Sequence, residues 1–394
     1  MDYKRFLILI ALFCFGTPLT TYGCRYTIRE IGYAEIGSSP HYLHIFTDSK
    51  TSENEISTLK KLAAALLNET NVMVDIFQVD QEKTLQVSEK LARYDLKTFP
   101  SAVFEFPEGD HIIYPLNHPG KSLNESVWIV IEDFFNSALR SSIKEKLVHA
   151  YGVVLFVEGV DKQQNNMILR ELKSAVRELS TTFDQMPKSV DSPPVVLVLP
   201  RKNMLDERIL LMSLGITEED ADRPAVAVLY GRGRIMGSAL KGELINRNRI
   251  LNLLTIVGAD CECGLDHSWI LGRMIPMRWE TGIQSELART LGFDVENPLV
   301  KSEMTQILSL KPSPDDLLDP MGSSLLGYSE GKLDLKKNPD KLSKISATAV
   351  RKSFFQTKTS KNNLVAKIIF MGFGLILLIV VALFLFIKYQ RRKV

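Results

Sequence analysis

The residues best placed to do chemistry are two cysteines and a histidine, Cys261, Cys263 and His267, in a C-x-C-x3-H pattern. A single spacer brings the two sulfur atoms close together, and three interpretations stay open. The cysteines are structural, with one member able to bond Cys24, or they form a redox dithiol whose tight disulfide would be strained and easily reduced. In the third, they bind a soft metal such as Cu(I) or Zn with His267, and only Asp266 is near enough to be a fourth zinc ligand.

Other catalytic motifs do not point to an enzyme. The sequence contains no HExxH metal-binding motif. The segment Gly231-Arg232-Gly233-Arg234 lacks the Lys-Ser/Thr pair of a phosphate-binding loop, so we expect a tight turn with solvated arginines. His41 and His44 are three residues apart on a predicted strand and therefore face opposite sides, where they cannot share a metal.

The elements that must position these residues are predicted in the order β-α-β-α-β-β-α, twice. The first copy has predicted strands over 41–46, 72–79, 101–106 and 111–114, and helices after the cap Ser52, over 84–94 and over 125–139. The second copy has predicted strands over 153–157, 195–199, 225–230 and 235–237, and helices over 163–183, 206–214 and 243–257. Residues 26–36 and 273–279 are expected to be extended, and residues 284–291 to form a short helix.

A proline opens the strand pair in each copy, at Pro100 and at Pro224. This layout resembles the thioredoxin fold, twice, and the chain is similar to redox-inactive tandem thioredoxin-like proteins such as the non-catalytic domains of protein disulfide isomerases. The resemblance implies an α/β fold, a cis peptide bond before each proline, and proline loops of a kind that often contacts extended polypeptide.

The same resemblance implies that neither copy is a redox enzyme. In thioredoxins the nucleophilic cysteine lies between the first central strand and the following helix, where the helix N-terminus lowers its pKa. Here those positions are occupied by residues 48–52 and 158–162, which contain no cysteine. Serine cannot replace it, because serine forms neither a disulfide nor an anion near neutral pH.

Both ends of the chain predict export and membrane attachment. Lys4 and Arg5 precede an apolar run, and small residues allow signal-peptide cleavage after Gly23, with an acylated Cys24 or an uncleaved anchor as alternatives. The segment from Ile368 to Ile387 is uncharged and has the length of about 20 residues that spans a bilayer. The basic residues that follow predict a cytoplasmic C-terminus.

These features divide the chain into seven predicted segments. They are a signal peptide (1–23), two thioredoxin-like domains (24–140 and 141–258), a CxC-containing extension (259–310), a flexible tether (311–363), a transmembrane helix (364–388) and a basic tail (389–394). Trp269 and Trp279 are expected to dock the extension onto the second domain.

We expect a single-pass membrane-anchored binding or scaffold protein rather than an enzyme. Its bulk would be extracytoplasmic, periplasmic or luminal, and the sequence favours an envelope protein of bacterial type. The expected partner is an envelope or membrane protein, without a cofactor. Nucleic acid is excluded as a partner because 48 basic residues are balanced by 46 acidic ones. The alternatives are a thiol-disulfide oxidoreductase or a soft-metal handling protein that uses the CxC pair.

Overall fold

A computed structural model describes residues 25–37, 39–81, 84–186, 188, 190, 192–259 and 271–309. The chain divides into two units, Met1–Asp334 and Leu335–Val394, and all of the described residues belong to the first. In the described ranges the helices are α1 (Ile28–Ile31), α2 (Glu53–Leu67), α3 (Leu85–Tyr94), α4 (Leu123–Phe135), α5 (Ala138–His149), α6 (Lys162–Ser180), α7 (Arg208–Ser213), α8 (Arg247–Val257), α9 (Thr281–Leu291) and α10 (Pro298–Ser309). The strands are β1 (His41–Thr47), β2 (Val72–Gln78), β3 (Ser101–Glu105), β4 (His111–Pro115), β5 (Val153–Val157), β6 (Val195–Leu199), β7 (Ala225–Tyr230), β8 (Arg234–Ile235) and β9 (Leu240–Lys241).

The first sheet has the strand order β2-β1-β3-β4. Strand β1 is parallel to β2 and antiparallel to β3, which pairs antiparallel with β4. Because side chains alternate along β1, Leu43 and Ile45 pack with α2 and α4, whereas Phe46 packs with α3 on the other face. The predicted β-α-β-α-β-β-α order of the first domain is therefore confirmed.

The second sheet repeats this arrangement, with the order β6-β5-β7-β8 and β9 paired to β7. Strand β5 is parallel to β6 and antiparallel to β7. Val153, Leu155 and Val157 face a core shared with α5 and α7. Val154 and Phe156 are equally buried, and by alternation they face the other side of the sheet. The element order is the predicted one except for β9, a two-residue strand that was not predicted.

The N-terminal segment 25–37 differs from the prediction in conformation and in location. It was expected to be extended and part of the first domain, but Ile28–Ile31 forms a short helix whose capping box joins Thr27 and Glu30. Tyr33 is fully buried in the core of the second sheet, and Ile28 N donates to Ala259 O at 2.9 Å. The apolar side chains of this segment find their burial on the second domain, which local sequence patterns cannot specify.

Two further elements correct the predicted helices. The single helix expected over 125–139 ends at Phe135, and Ser137 caps a separate helix, α5. The short helix expected over 284–291 is present and begins at Thr281, while α10 was not predicted.

The extension after α8 joins the two sheets. Residue Met274 forms an isolated bridge with Arg234, and Arg278 forms one with Thr70. Trp279 is 2% exposed and meets Tyr33 edge-on at 6.4 Å between ring centroids. The predicted docking on the second domain is confirmed for Trp279, whereas Trp269 lies outside the described residues.

The predicted signal peptide, tether, transmembrane helix and basic tail lie outside the described residues. Within the described ranges, no helix combines the length and apolarity that a membrane span requires.

Candidate functional site

The first candidate site lies at one end of the first sheet, where β1 gives way to α2. Strand register pairs Phe46 with Ser101, so the loop after β1 reaches the same edge as Pro100. Ser52 caps α2, and its hydroxyl and backbone N–H both bind the Glu55 carboxylate. These hydrogen bonds hold the pKa of Glu55 below its usual value. The helix N-terminus is therefore occupied by a hydroxyl and a carboxylate at the place where thioredoxins carry their nucleophile.

The loop between β1 and α2 is ordered by its own polar groups. Ser49 N donates to Asp80 Oδ2 at 2.8 Å, and Lys50 N donates to Asp48 Oδ1 at 3.1 Å. Ser49, Lys50 and Ser52 are exposed, whereas Thr51 is buried. The loop thus presents a polar, accessible rim without a thiol.

The proline loop of the first domain faces this rim. The Phe99–Pro100 peptide bond is cis, as the family resemblance implied. Pro100 O accepts from Leu116 N at 3.1 Å, and Ser101 Oγ donates to Thr98 O at 2.7 Å. Among the described residues, no hydrogen bond reaches the backbone N–H or C=O of Phe99. These two groups are free to pair with another extended chain.

The corresponding site of the second domain is closed. Asn165 binds both backbone groups of Gly159 through its side-chain amide, each at 3.0 Å. A Cβ placed on Gly159 would lie 2.7 Å from the ring of Pro224. Val160 N donates to Asp222 O, and Asp222 also binds Arg201 at 2.7 Å. The loop after β5 is therefore packed directly on the proline loop, with no room for a peptide between them.

Pro224 also differs from the prediction in its peptide bond. Phe99–Pro100 is the cis bond found in the described part of the chain, so the expected cis bond at Arg223–Pro224 was wrong. The tight contact between Gly159 and Pro224 means that the two proline loops are not equivalent.

The cysteine-based candidates lie outside the described residues. These are Cys24, Cys261, Cys263 and His267, so the dithiol and soft-metal interpretations stay predictions. Elsewhere, in the ranges that the structure describes, no three His, Cys, Asp or Glu residues gather into a possible metal site.

A buried charged cluster, which the sequence analysis missed, lies on the α3 face of the first sheet. His44 Nε2 is 2.9 Å from Glu105 Oε2 and 2.9 Å from Lys90 Nζ. Tyr94 donates to Glu105 at 2.8 Å, and Arg93 pairs with its other oxygen at 2.9 Å. The signals that could have found this cluster are two polar residues in largely apolar strands: Glu105 at the end of β3, and His44 on β1, two residues beyond the register partner of Glu105, Tyr42.

The charges of this cluster set its protonation. Burial lowers the pKa of His44 and favours a neutral imidazole. Burial alone would raise the pKa of Glu105, but hydrogen bonds from His44 and Tyr94 and the nearby cations bring it below its usual value. The cluster is thus an ionised carboxylate held by its neighbours, a structural arrangement away from the proline loop.

His41 and His44 face opposite sides of β1, as predicted. His41 stacks on Phe104 at 5.5 Å between ring centroids, and its Nε2 lies 2.9 Å from Met274 O. Burial lowers the pKa of His41 to about 4. The two imidazoles cannot meet at one metal.

The prediction of solvated arginines in the turn after β7 was wrong. Arg234 is fully buried and donates to the backbone oxygens of Gly32, Ala34, Ile36 and Gly272. Arg232, 8% exposed, pairs with Glu296 at 2.9 Å and lies over the ring of Trp279. The turn is therefore an anchoring point for the segments that flank the second domain.

No family model matches this sequence, and no curated protein is similar to it. Among solved structures, the chain is similar to the first two thioredoxin domains of Saccharomyces cerevisiae Eps1p. The identity is 12% and the TM-score 0.20, over 55% of this chain and 92% of that chain. The corresponding domains of Naumovozyma dairenensis Eps1p match at 10% identity and a TM-score of 0.18, over 52% and 85% of the two chains. The bb fragment of ERp72 matches at 13% identity and a TM-score of 0.20, over 54% of this chain and 86% of that chain.

The chain has two tandem thioredoxin-like domains. This assignment depends on the strand order and pairing of the two sheets, which are the same in both domains. The similarity to these solved structures concerns the fold alone and gives no information about the activity, ligand or partner of this chain.

Proposed function

We propose that this protein is a non-enzymatic binding protein whose first thioredoxin-like domain receives an extended polypeptide at the Pro100 loop. The observation that carries the proposal is the pair of unpaired backbone groups on Phe99, beside an accessible rim that contains no cysteine. A peptide strand can pair with these groups as a strand pairs with a sheet edge, with side chains supplying specificity.

The difference between the two domains supports different roles for them, with peptide binding in the first domain only. In the second domain Gly159 packs directly against Pro224, whereas the equivalent loop of the first domain presents exposed Ser49 and Lys50. The second domain would then be a scaffold, holding α5 and the extension in place.

Membrane attachment and an extracytoplasmic location are part of the proposal and are supported by the sequence. The uncharged segment from Ile368 to Ile387 and the basic residues after it favour a single span with a cytoplasmic tail. The partner would be an envelope or membrane protein that presents an extended segment.

The test measures binding of a labelled, cysteine-free unfolded peptide to the full-length protein by fluorescence anisotropy. Ser49→Trp places a bulky ring on the open rim and is expected to weaken binding at least about tenfold, or about 1.4 kcal/mol. Val160→Trp is the matched control, because Val160 is 56% exposed in the loop of the closed site. Equal binding by the two variants, or no binding by the unchanged protein, contradicts the proposal.

The CxC pair supports a second candidate function, a thiol-disulfide oxidoreductase that uses Cys261 and Cys263. The close spacing of these two cysteines is the observation that favours it. Turnover of a disulfide substrate by the full-length protein, abolished by Cys261→Ser and Cys263→Ser, would replace the binding proposal. Unchanged phenotype and folding in the double variant would exclude the redox function.

A further inference from the structure

A cleft of about 180 Å³ separates the α4–α5 corner from the segment that precedes α9. The corner contributes Arg140 and Lys144, and the segment contributes Arg278 and Glu280. With Glu132 on the corner, the cleft is lined by three cationic side chains and two carboxylates. None of them belongs to the Pro100 loop, so the cleft is separate from the proposed peptide site.

Arg140 is the most deeply buried of the three cations, at 4% exposure. Its Nη2 donates to Asp133 O at 3.2 Å, and its Nε lies 3.3 Å from Glu207 Oε2. Its Nη1 has no hydrogen-bond partner. A buried guanidinium with an unused donor is unfavourable, because the lost hydration is not replaced. Nη1 therefore lacks an acceptor, in a residue that lines the cleft.

The charge on Arg140 is only partly compensated by its neighbour. Glu207 shares its carboxylate with the hydroxyl of Ser137. Burial raises the pKa of Glu207 and lowers that of Arg140, since both charges have left water. An added negative charge beside Arg140 would offset the same loss of hydration.

The other two cations extend the site. Lys144 Nζ lies 2.8 and 2.9 Å from the two oxygens of Glu280, and an ammonium group has a third donor to offer. Lys144 follows Arg140 by four residues, so both lie on one face of α5. Arg278 lies 3.4 Å from Glu132 and 5.1 Å from the ring centroid of Phe135, which fixes the far wall.

We propose that this cleft binds a small oxyanion through Arg140 and Lys144. Arginine and lysine are the usual protein ligands of phosphate and carboxylate groups. Phosphate and carboxylate share this chemistry, and the size of the cleft limits the bound group to a few heavy atoms.

The test follows the thermal unfolding midpoint of the full-length protein in inorganic phosphate, acetate or chloride at equal ionic strength. If phosphate raises the unfolding midpoint more than chloride does, and the effect saturates, the cleft is a phosphate site. The same effect of acetate identifies a carboxylate site. Lys144→Gln is expected to abolish the rise. Lys146→Gln is the control, because Lys146 lies on the same helix but pairs with Glu145. This variant is expected to show the same anion-dependent rise of the midpoint as the unchanged protein.

Calorimetric titration with the active anion provides the second measurement, because it does not depend on how a variant unfolds. At least a tenfold loss of affinity is expected in Lys144→Gln, and none in Lys146→Gln. The proposal is overturned if neither anion differs from chloride, or if both variants respond like the unchanged protein.

Discussion

At the scale of single residues, burial decides which charges matter. Arg234 is an ordinary turn arginine by sequence, yet it is surrounded by the carbonyl oxygens of two segments distant in the chain. A guanidinium has five donors in a fixed planar arrangement, which allows one side chain to satisfy several oxygens at once. The residue therefore connects segment 25–37 to the extension.

Removing this guanidinium is expected to destabilise the protein. Arg234→Met keeps much of the apolar stem but removes a donor from four backbone oxygens, of which those of Gly32 and Ala34 keep a backbone N–H donor. The loss should lower the free energy of unfolding by about 2–3 kcal/mol. Urea denaturation measures the change. Arg208→Met is the control, because Arg208 is 50% exposed in its pair with Glu218 and should cost about 1 kcal/mol or less. Equal losses would show that Arg234 is not an anchor.

The buried imidazole of His41 predicts a pH dependence. Its pKa is about 4 in the folded protein and 6.5 in the unfolded chain, so the unfolded chain binds the extra proton between these values. The contribution of neutral His41 to the free energy of unfolding is fully present above pH 6.5. It is lost as the pH falls towards 4, which lowers the free energy of unfolding by about 3 kcal/mol. Denaturant titrations of the unchanged protein and His41→Phe should converge over this range. Parallel curves would contradict the assigned cause.

At the scale of elements, helix boundaries are set by caps that compete with apolar periodicity. The apolar pattern runs from α4 into α5, which is why one helix was predicted. The chain breaks at Asn136, whose backbone is not helical, and Ser137 starts the new helix by accepting from Arg140 N. The break turns α5 from the first domain towards the core of the second sheet.

The two caps at this corner are expected to differ in importance. Ser122→Ala removes an exposed cap of α4 and should cost about 1 kcal/mol. Ser137→Ala removes the cap of α5 and also a hydrogen bond to buried Glu207, so it should cost about 2–3 kcal/mol. Chemical denaturation of both variants measures the difference. A smaller cost for Ser137→Ala would mean that Glu207 does not depend on this hydroxyl.

At the scale of the whole molecule, residues distant in sequence complete the second domain. Segment 25–37 packs on the β7–β8 turn, where Arg232 N donates to Gly32 O at 3.0 Å. Gly231 has a φ of 56° and lies so close to Gly32 that a Cβ would come within 2.6 Å of Gly32 Cα. The turn residue must be glycine because both its backbone conformation and its neighbour exclude a side chain.

Substitution of Gly231 and of Gly242 separates the effect of the positive φ from the effect of a close neighbour. Gly231→Ala should lower stability and increase hydrogen exchange in segment 25–37, since the segment must move away from the turn. Gly242 has a φ of 53° but nothing within 4 Å of its Cβ position, so Gly242→Ala should cost only the backbone strain of about 1–2 kcal/mol. Unchanged exchange in Gly231→Ala would show that the segment is held elsewhere.

The sequence by itself determined the order of strands and helices in both domains. It also determined the strand-opening position of Pro100 and the absence of cysteine from the two expected redox positions. These features depend on periodicity, capping residues and residue identity, which are local properties.

Only the tertiary structure decided which site is open, where segment 25–37 docks and which charges are buried. The contact of Pro224 with Gly159, the enclosure of Arg234 and the unpaired Nη1 of Arg140 each join residues from different parts of the chain. The physical reason is that burial and hydrogen-bond satisfaction are set by all the neighbours of a group, and a linear pattern specifies only the nearest ones.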